Sequence, residues 1–171
     1  MKHFKNFKTC VYCTAQTLAS LDETTLARDY AYLEKYVGID KVYLETYRDG
    51  TWVAIDHMKM IQNFFKEHGV EIAGGITAVT PPLEKDDAKR QRLFQTFCYS
   101  NETMRTYLKK IVTYTAELFD EIILDDFFFT SCTCDDCLRE RSNLSWAEFR
   151  SNKMIDVAEN LVLKPAKLAN P

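Results

Sequence analysis

Four short apolar runs, rich in β-branched residues and tyrosine, alternate along this chain with longer stretches of helical period. No other feature constrains the fold as strongly. Runs at residues 9–14 (TCVYCT), 41–46 (KVYLET), 70–79 (VEIAGGITAV) and 121–129 (EIILDDFFF) read as strands. After the first, Ser20 and Glu23 are spaced as a capping box, Leu26, Tyr30, Leu33 and Val37 recur at helical spacing, and Gly38 supplies a stop. After the second, Arg48, Asp49 and Gly50 make a turn, Met58, Ile61, Phe64 and Phe65 carry a helix, and His68 with Gly69 closes it. Gly74 and Gly75 lie within the third run, where a strand bends or something approaches its backbone closely; Pro81 and Pro82 end it. The stretch from there to about Ser100 is the longest connection and a candidate binding loop. Asn101 or Ser100 can cap the next helix, with Met104, Leu108, Ile111, Thr115 and Leu118 inward. Ser145 and Glu148 form a second capping box before a final helix carrying Trp146, Phe149, Ile155, Val157, Leu161 and Val162.

The pattern predicts an α/β fold of four βα units, parallel strands with helices outside, because right-handed crossovers lay such strands side by side. That is half of a (β/α)8 TIM-type barrel or a small open sheet. A full barrel takes about 250 residues. The 171 residues are therefore expected to be a single domain, 1–171, equivalent to the amino-terminal half of a larger barrel. Ala169, Asn170 and Pro171 stand where the turn into a fifth strand would lie, so the expectation is either a fragment or a homodimer paired through exposed sheet edges.

Composition excludes several classes. With 22 basic and 25 acidic residues the net charge is −3, and no basic stripe is present, so nucleic acid is not an expected partner. No apolar run reaches the roughly 20 residues of a membrane span, and the basic start MKHFKNFK lacks a following apolar region. Neither membrane nor export is expected, which leaves the cytoplasm. No phosphate-binding glycine loop occurs, so no nucleotide cofactor is expected, and His3, His57 and His68 show no triad pattern.

Ligands of parallel α/β proteins gather at the carboxyl ends of strands, which puts Asp125 and Asp126 first among candidate catalytic residues. Side chains alternate along a strand, so the two cannot face one ligand together. The polar rows Lys41, Tyr43, Glu45 and Glu71, Ala73, Gly75, Thr77 share the parity of Asp125, which favours Asp125 inward; the alternative is that both acids cap the following loop. Glu45, Tyr47 and Arg48 end the second strand and could converge on a polyhydroxylated ligand, or form only a surface ion pair and a turn. Gln16, after the first strand, is a further candidate hydrogen-bonder. Trp52 and the run Phe127, Phe128, Phe129 could stack on a sugar ring, although packing is the commoner use of such aromatics.

Six cysteines raise a separate possibility. Cys132, Cys134 and Cys137 (C-x-C-x-x-C) could hold a structural zinc, form a disulfide, or remain free thiols. Cys10 and Cys13 form a second C-x-x-C, but within a strand their side chains face opposite ways and at most one could join the others.

The segment FDEIILDDFFFTSCTCDDC at 119–137, with Phe97 to Asn101 before it, Ser145, Trp146, Phe149 and Arg150 after it, and HGVEIAGGIT at 68–77, resembles uncharacterised bacterial proteins regarded as glycoside hydrolases with a TIM barrel. The resemblance covers most of the chain and corresponds to the amino-terminal half of the barrel. It implies carbohydrate as the substrate, and it implies that Asp125 and Asp126 lie in the carbohydrate site. Glycoside hydrolysis needs two carboxyl groups. One of the pair is expected at Asp125 or Asp126, the other on a later strand, so this chain alone could be inactive. The rival expectation is a non-enzymatic interaction module, a half-barrel dimer whose Cys-rich loop holds zinc.

Overall fold

A computed structural model describes residues 4–79, 86, 88, 91–126 and 129–171. In chain order its elements are β1 (Cys10–Cys13), α1 (Ala15–Ser20), α2 (Glu23–Tyr36), β2 (Lys41–Arg48), β3 (Thr51–Trp52), α3 (Ile55–Glu67), β4 (Glu71–Thr77), α4 (Glu102–Ala116), β5 (Ile122–Asp125), α5 (Asp135–Arg141), α6 (Trp146–Asp156) and α7 (Lys164–Ala169). Strands β1, β2, β4 and β5 lie side by side in that order, all parallel, and the short β3 folds back antiparallel on β2. The class is α/β, as the alternation predicts, and parallel strands laid down in chain order are consistent with half of a TIM-type barrel.

The register sorts side chains by face. Tyr12 stands opposite Tyr43, Glu45 opposite Gly75, and Thr77 opposite Asp125, so these residues share one face of the sheet. The other face is apolar and is covered by helices. One cluster joins Leu18, Leu26, Val42, Leu44, Met58, Ile61 and Phe65 beneath α2 and α3. A second joins Ile76, Leu108, Ile111, Phe149 and Leu161 beneath α4 and the carboxyl-terminal helices. The glycine pair serves both faces. A Cβ on Gly74 would lie 2.7 Å from side-chain carbons of Phe119 and Thr115, so the glycine lets α4 and the turn after it press on β4, while a Cβ on Gly75 would lie 2.8 Å from the Tyr12 hydroxyl.

Several boundaries differ from the sequence reading. Ser20 and Glu23 do not form a capping box. Ser20 ends α1, its hydroxyl donating to the Thr17 carbonyl, and Asp22 caps α2 in a reciprocal box with Thr25. Asp is as good a cap as Ser, and burial of Ala15 and Leu18 draws the first turns into a separate short helix capped by Thr14. The caps at Asn101 and at Ser145 with Glu148 form as expected. The fourth run yields a strand of only four residues, because Asp126 has φ +51°, a left-handed turn that ends pairing. Pro81 and Pro82 lie outside the described residues, as do His3, Phe127 and Phe128.

The last helix is not uniform. Between α6 and α7 the segment Val157–Leu163 takes π-helical bonding. Pro165 in the first turn of α7 has no N–H for the carbonyl one α-turn back, and the wider spacing passes the chain through that defect without a break.

Candidate functional site

A β-bulge builds the strand-end cluster. Between Glu45 and Tyr47 the β2–β4 register slips by one residue, so the pairing runs Glu45 to Gly75 and then Tyr47 to Ile76. The extra residue, Thr46, points under α4, its hydroxyl 2.6 Å from that of Thr115. Regular alternation is interrupted there, which brings Arg48 back to the face occupied by Glu45.

Glu45 is wholly buried, yet both oxygens are filled. It accepts from the Ala15 N–H at 2.7 Å, the Tyr12 hydroxyl at 2.8 Å, Nε of Arg48 at 2.9 Å and the hydroxyl of Thr77. Such saturation is what makes a buried carboxylate tolerable. Arg48 Nη2 then donates to Thr77 Oγ1 at 2.8 Å and to Asp125 Oδ2 at 3.2 Å. Burial works against the charge on Arg48, but the hydrogen bonds and charge of Glu45 hold it firmly protonated; burial, aided by the charge of Glu45, pushes the Tyr12 phenol above its usual range. Asp125 is the outermost member, its side chain 47% exposed and free on its outer side to meet a ligand.

The candidate residues separate accordingly. Asp125, Glu45 and Arg48 come together, with Tyr12 and Thr77, which sequence reading had not singled out as site residues. Gln16 lies at the rim, exposed, its amide donating to the Arg48 carbonyl at 3.3 Å. Tyr47 does not converge with its neighbours: the bulge turns it to the opposite face, where it is fully buried against Trp52, Phe97 and Tyr107 and accepts the Gly50 N–H. Trp52 belongs to the same packing cluster, its indole donating to the Tyr107 hydroxyl at 2.8 Å, so it is no stacking wall. Asp126 sits in the left-handed turn beyond β5, half-buried. Phe129 meets the exposed Phe94 edge to face, and Phe94 and Gln95 both have positive φ.

A second constellation lies in the loops. The thiols of Cys98, Cys132, Cys134 and Cys137 all lie within 4.8 Å of one another, and three of the four residues are buried. Hydrogen bonds from Cys137 and Cys98 hold the Cys132 thiol far below its ordinary range, while Cys98, bonded to Cys132 and Cys137, is pushed above. Neither Cys10 nor Cys13 joins. The fourth member is Cys98, 36 residues before Cys134 and across a crossover, a separation that no local spacing reveals. Beside the thiols opens a cleft of about 490 Å³ lined by Cys98, Cys134, Asp86, Asp135, Asp136 and Arg139.

The chain matches over residues 1–171 the family model described as "Probable glycosyl hydrolase, catalytic domain". It is 33% identical over 190 aligned residues to an uncharacterized protein of Saccharolobus solfataricus, an alignment that covers 97% of this chain and 31% of that protein. The chain thus spans about a third of the length of the curated relative it matches. No solved structure matches.

Proposed function

This chain belongs to the family of probable glycosyl hydrolase catalytic domains, and from that premise we propose that its strand-end cluster is part of a carbohydrate-hydrolysing site with Asp125 facing the sugar. The observation that carries the reading is the division of labour between two carboxylates held by one guanidinium. Glu45, with both oxygens committed, positions Arg48; Arg48 fixes Asp125; Asp125 keeps an open side at the carboxyl end of the sheet. A carboxylate so fixed can accept hydrogen bonds from sugar hydroxyls, or serve as one member of the acid and base or nucleophile pair. Glu45 cannot supply the other member while its oxygens are filled. We assign that role to a carboxyl group outside this cluster, either Asp126 or a residue of a longer chain. Gln16 at the rim adds a donor and acceptor for hydroxyl groups, and Phe94 with Phe129 offers an aromatic surface for a ring face.

The test is hydrolysis of a panel of p-nitrophenyl glycosides by the purified protein. Asp125→Asn is expected to lower kcat/KM about 100-fold or more, the scale of a lost acid–base group; unchanged turnover in that variant contradicts the reading. The four-thiol cluster favours a second reading, a non-enzymatic interaction module, a half-barrel homodimer with a metal-held loop. Metal-dependent stability with no response to any sugar would select it.

A further inference from the structure

We propose that Cys98, Cys132, Cys134 and Cys137 form a structural zinc site that ties the loop entering α4 to the loop after β5 and the first turn of α5. The geometry points to a metal rather than to thiols that merely pack together. Cys98 Sγ lies 3.6 Å from both Cys134 Sγ and Cys137 Sγ, and the last two are 3.8 Å apart. Four sulfurs placed tetrahedrally around zinc, with Zn–S of about 2.3 Å, stand about 3.8 Å apart. These three separations match the edges of a tetrathiolate shell, and Cys132 Sγ lies within 4.8 Å of the other three sulfurs, within reach of the fourth corner. They do not match a disulfide, whose sulfurs are bonded at about 2.05 Å, and all four cysteines are free.

Burial argues the same way. Cys98, Cys132 and Cys137 are 1%, 1% and 2% exposed, and an apolar packing role would not gather four sulfurs at one point from two segments far apart in the chain. Cys134, the partly exposed member, lines the open cleft, which leaves one side of the cluster accessible to an entering ion. Arg92, 3% exposed and paired with Asp86, lines the same cleft, so the neighbourhood of the thiols is polar rather than the apolar setting of packed cysteines. Soft sulfur donors in tetrahedral array select zinc among the common divalent cations.

The consequence is mechanical. Cys98 lies in the connection after β4, and Cys132 only seven residues beyond Asp125. One ion would thus hold together the two loops that leave the carboxyl ends of adjacent strands. The site stands independently of the sugar-binding reading.

Metal analysis of the purified protein is expected to give one zinc per chain. Replacement by cobalt should produce the visible bands and the thiolate charge-transfer band of a tetrahedral sulfur-coordinated ion. Cys98→Ser should lose stoichiometric retention, whereas Cys10→Ser, outside the cluster, should retain it fully. Should Cys98→Ser fail to fold, the cobalt spectrum and the reversal of that spectrum by zinc in the unmodified protein still decide. The proposal is overturned if the protein is metal-free with four thiols open to native titration, if two of these cysteines are found as a disulfide, if iron occupies the site, or if retention survives Cys98→Ser.

Discussion

Thr77 and Asp125 face one another across β4 and β5, and both are bound by the same nitrogen, Nη2 of Arg48. The side chain that joins the strand ends is itself anchored on the wholly buried Glu45. Removing Arg48 would leave that carboxylate buried without its charge partner. Arg48→Met is expected to destabilise the chain by about 3–5 kcal/mol, the cost of breaking rather than replacing a buried pair. Urea denaturation reads it directly. A loss below about 1 kcal/mol would show that water replaces the guanidinium freely.

The two neighbouring glycines predict separable effects. Gly74→Ala meets Phe119 and Thr115 on the helix side, and Gly75→Ala meets the Tyr12 hydroxyl on the site side, each below 3 Å. Both should cost about 1–3 kcal/mol by overpacking. Only Gly75→Ala should displace Tyr12 from Glu45 and weaken sugar binding beyond its effect on stability. Comparing ligand affinity with melting temperature for the two variants checks the distinction.

Acid sensitivity should show at Asp156. A hydrogen bond from Arg105, at 2.7 Å, holds the Asp156 carboxyl below the usual range, with Asn160 also donating. A group whose folded value is depressed contributes stability that is complete above its unfolded value, about 3.9, and disappears as pH falls through the folded one. The side chain is 35% exposed, so after discounting for solvent screening the contribution is about 1 kcal/mol. Asp156→Asn should therefore remove about that much at neutral pH and flatten the acid limb of a stability profile below about pH 4. A profile identical to wild type would mean the pair is broken in solution.

Much of the fold was legible in the sequence because it follows from period alone. Four apolar runs gave four parallel strands in the expected order, and parity placed Asp125 on the face of Glu45 and Gly75. Parity failed at Tyr47, since a rule of alternation assumes regular pairing and the bulge at Thr46 adds a residue that no local pattern announces. The same bulge returned Arg48 to the site. The spacing places the cap of the first long helix at Ser20, whereas burial of Ala15 and Leu18 takes Ser20 into a separate short helix and Asp22 caps α2. The C-x-C-x-x-C at 132–137 was visible, but its fourth sulfur, on Cys98, is brought there only by the crossover between β4 and β5. Among the described residues no helix is long and apolar enough to cross a membrane, in keeping with apolar runs that all fall short of the roughly 20 residues of a span.

The central claim, that Asp125 is the sugar-facing carboxylate of this domain, is tested most directly by titrating a panel of protonated iminosugars into the protein used for the hydrolysis assays and its Asp125→Asn variant by calorimetry. Their ring nitrogen carries the positive charge that a glycosidase carboxylate meets. Binding by the wild type, weakened about 10-fold to 100-fold in Asp125→Asn, is predicted from the loss of one charge-assisted hydrogen bond. A panel without a binder, or one bound equally by both proteins, would contradict the account.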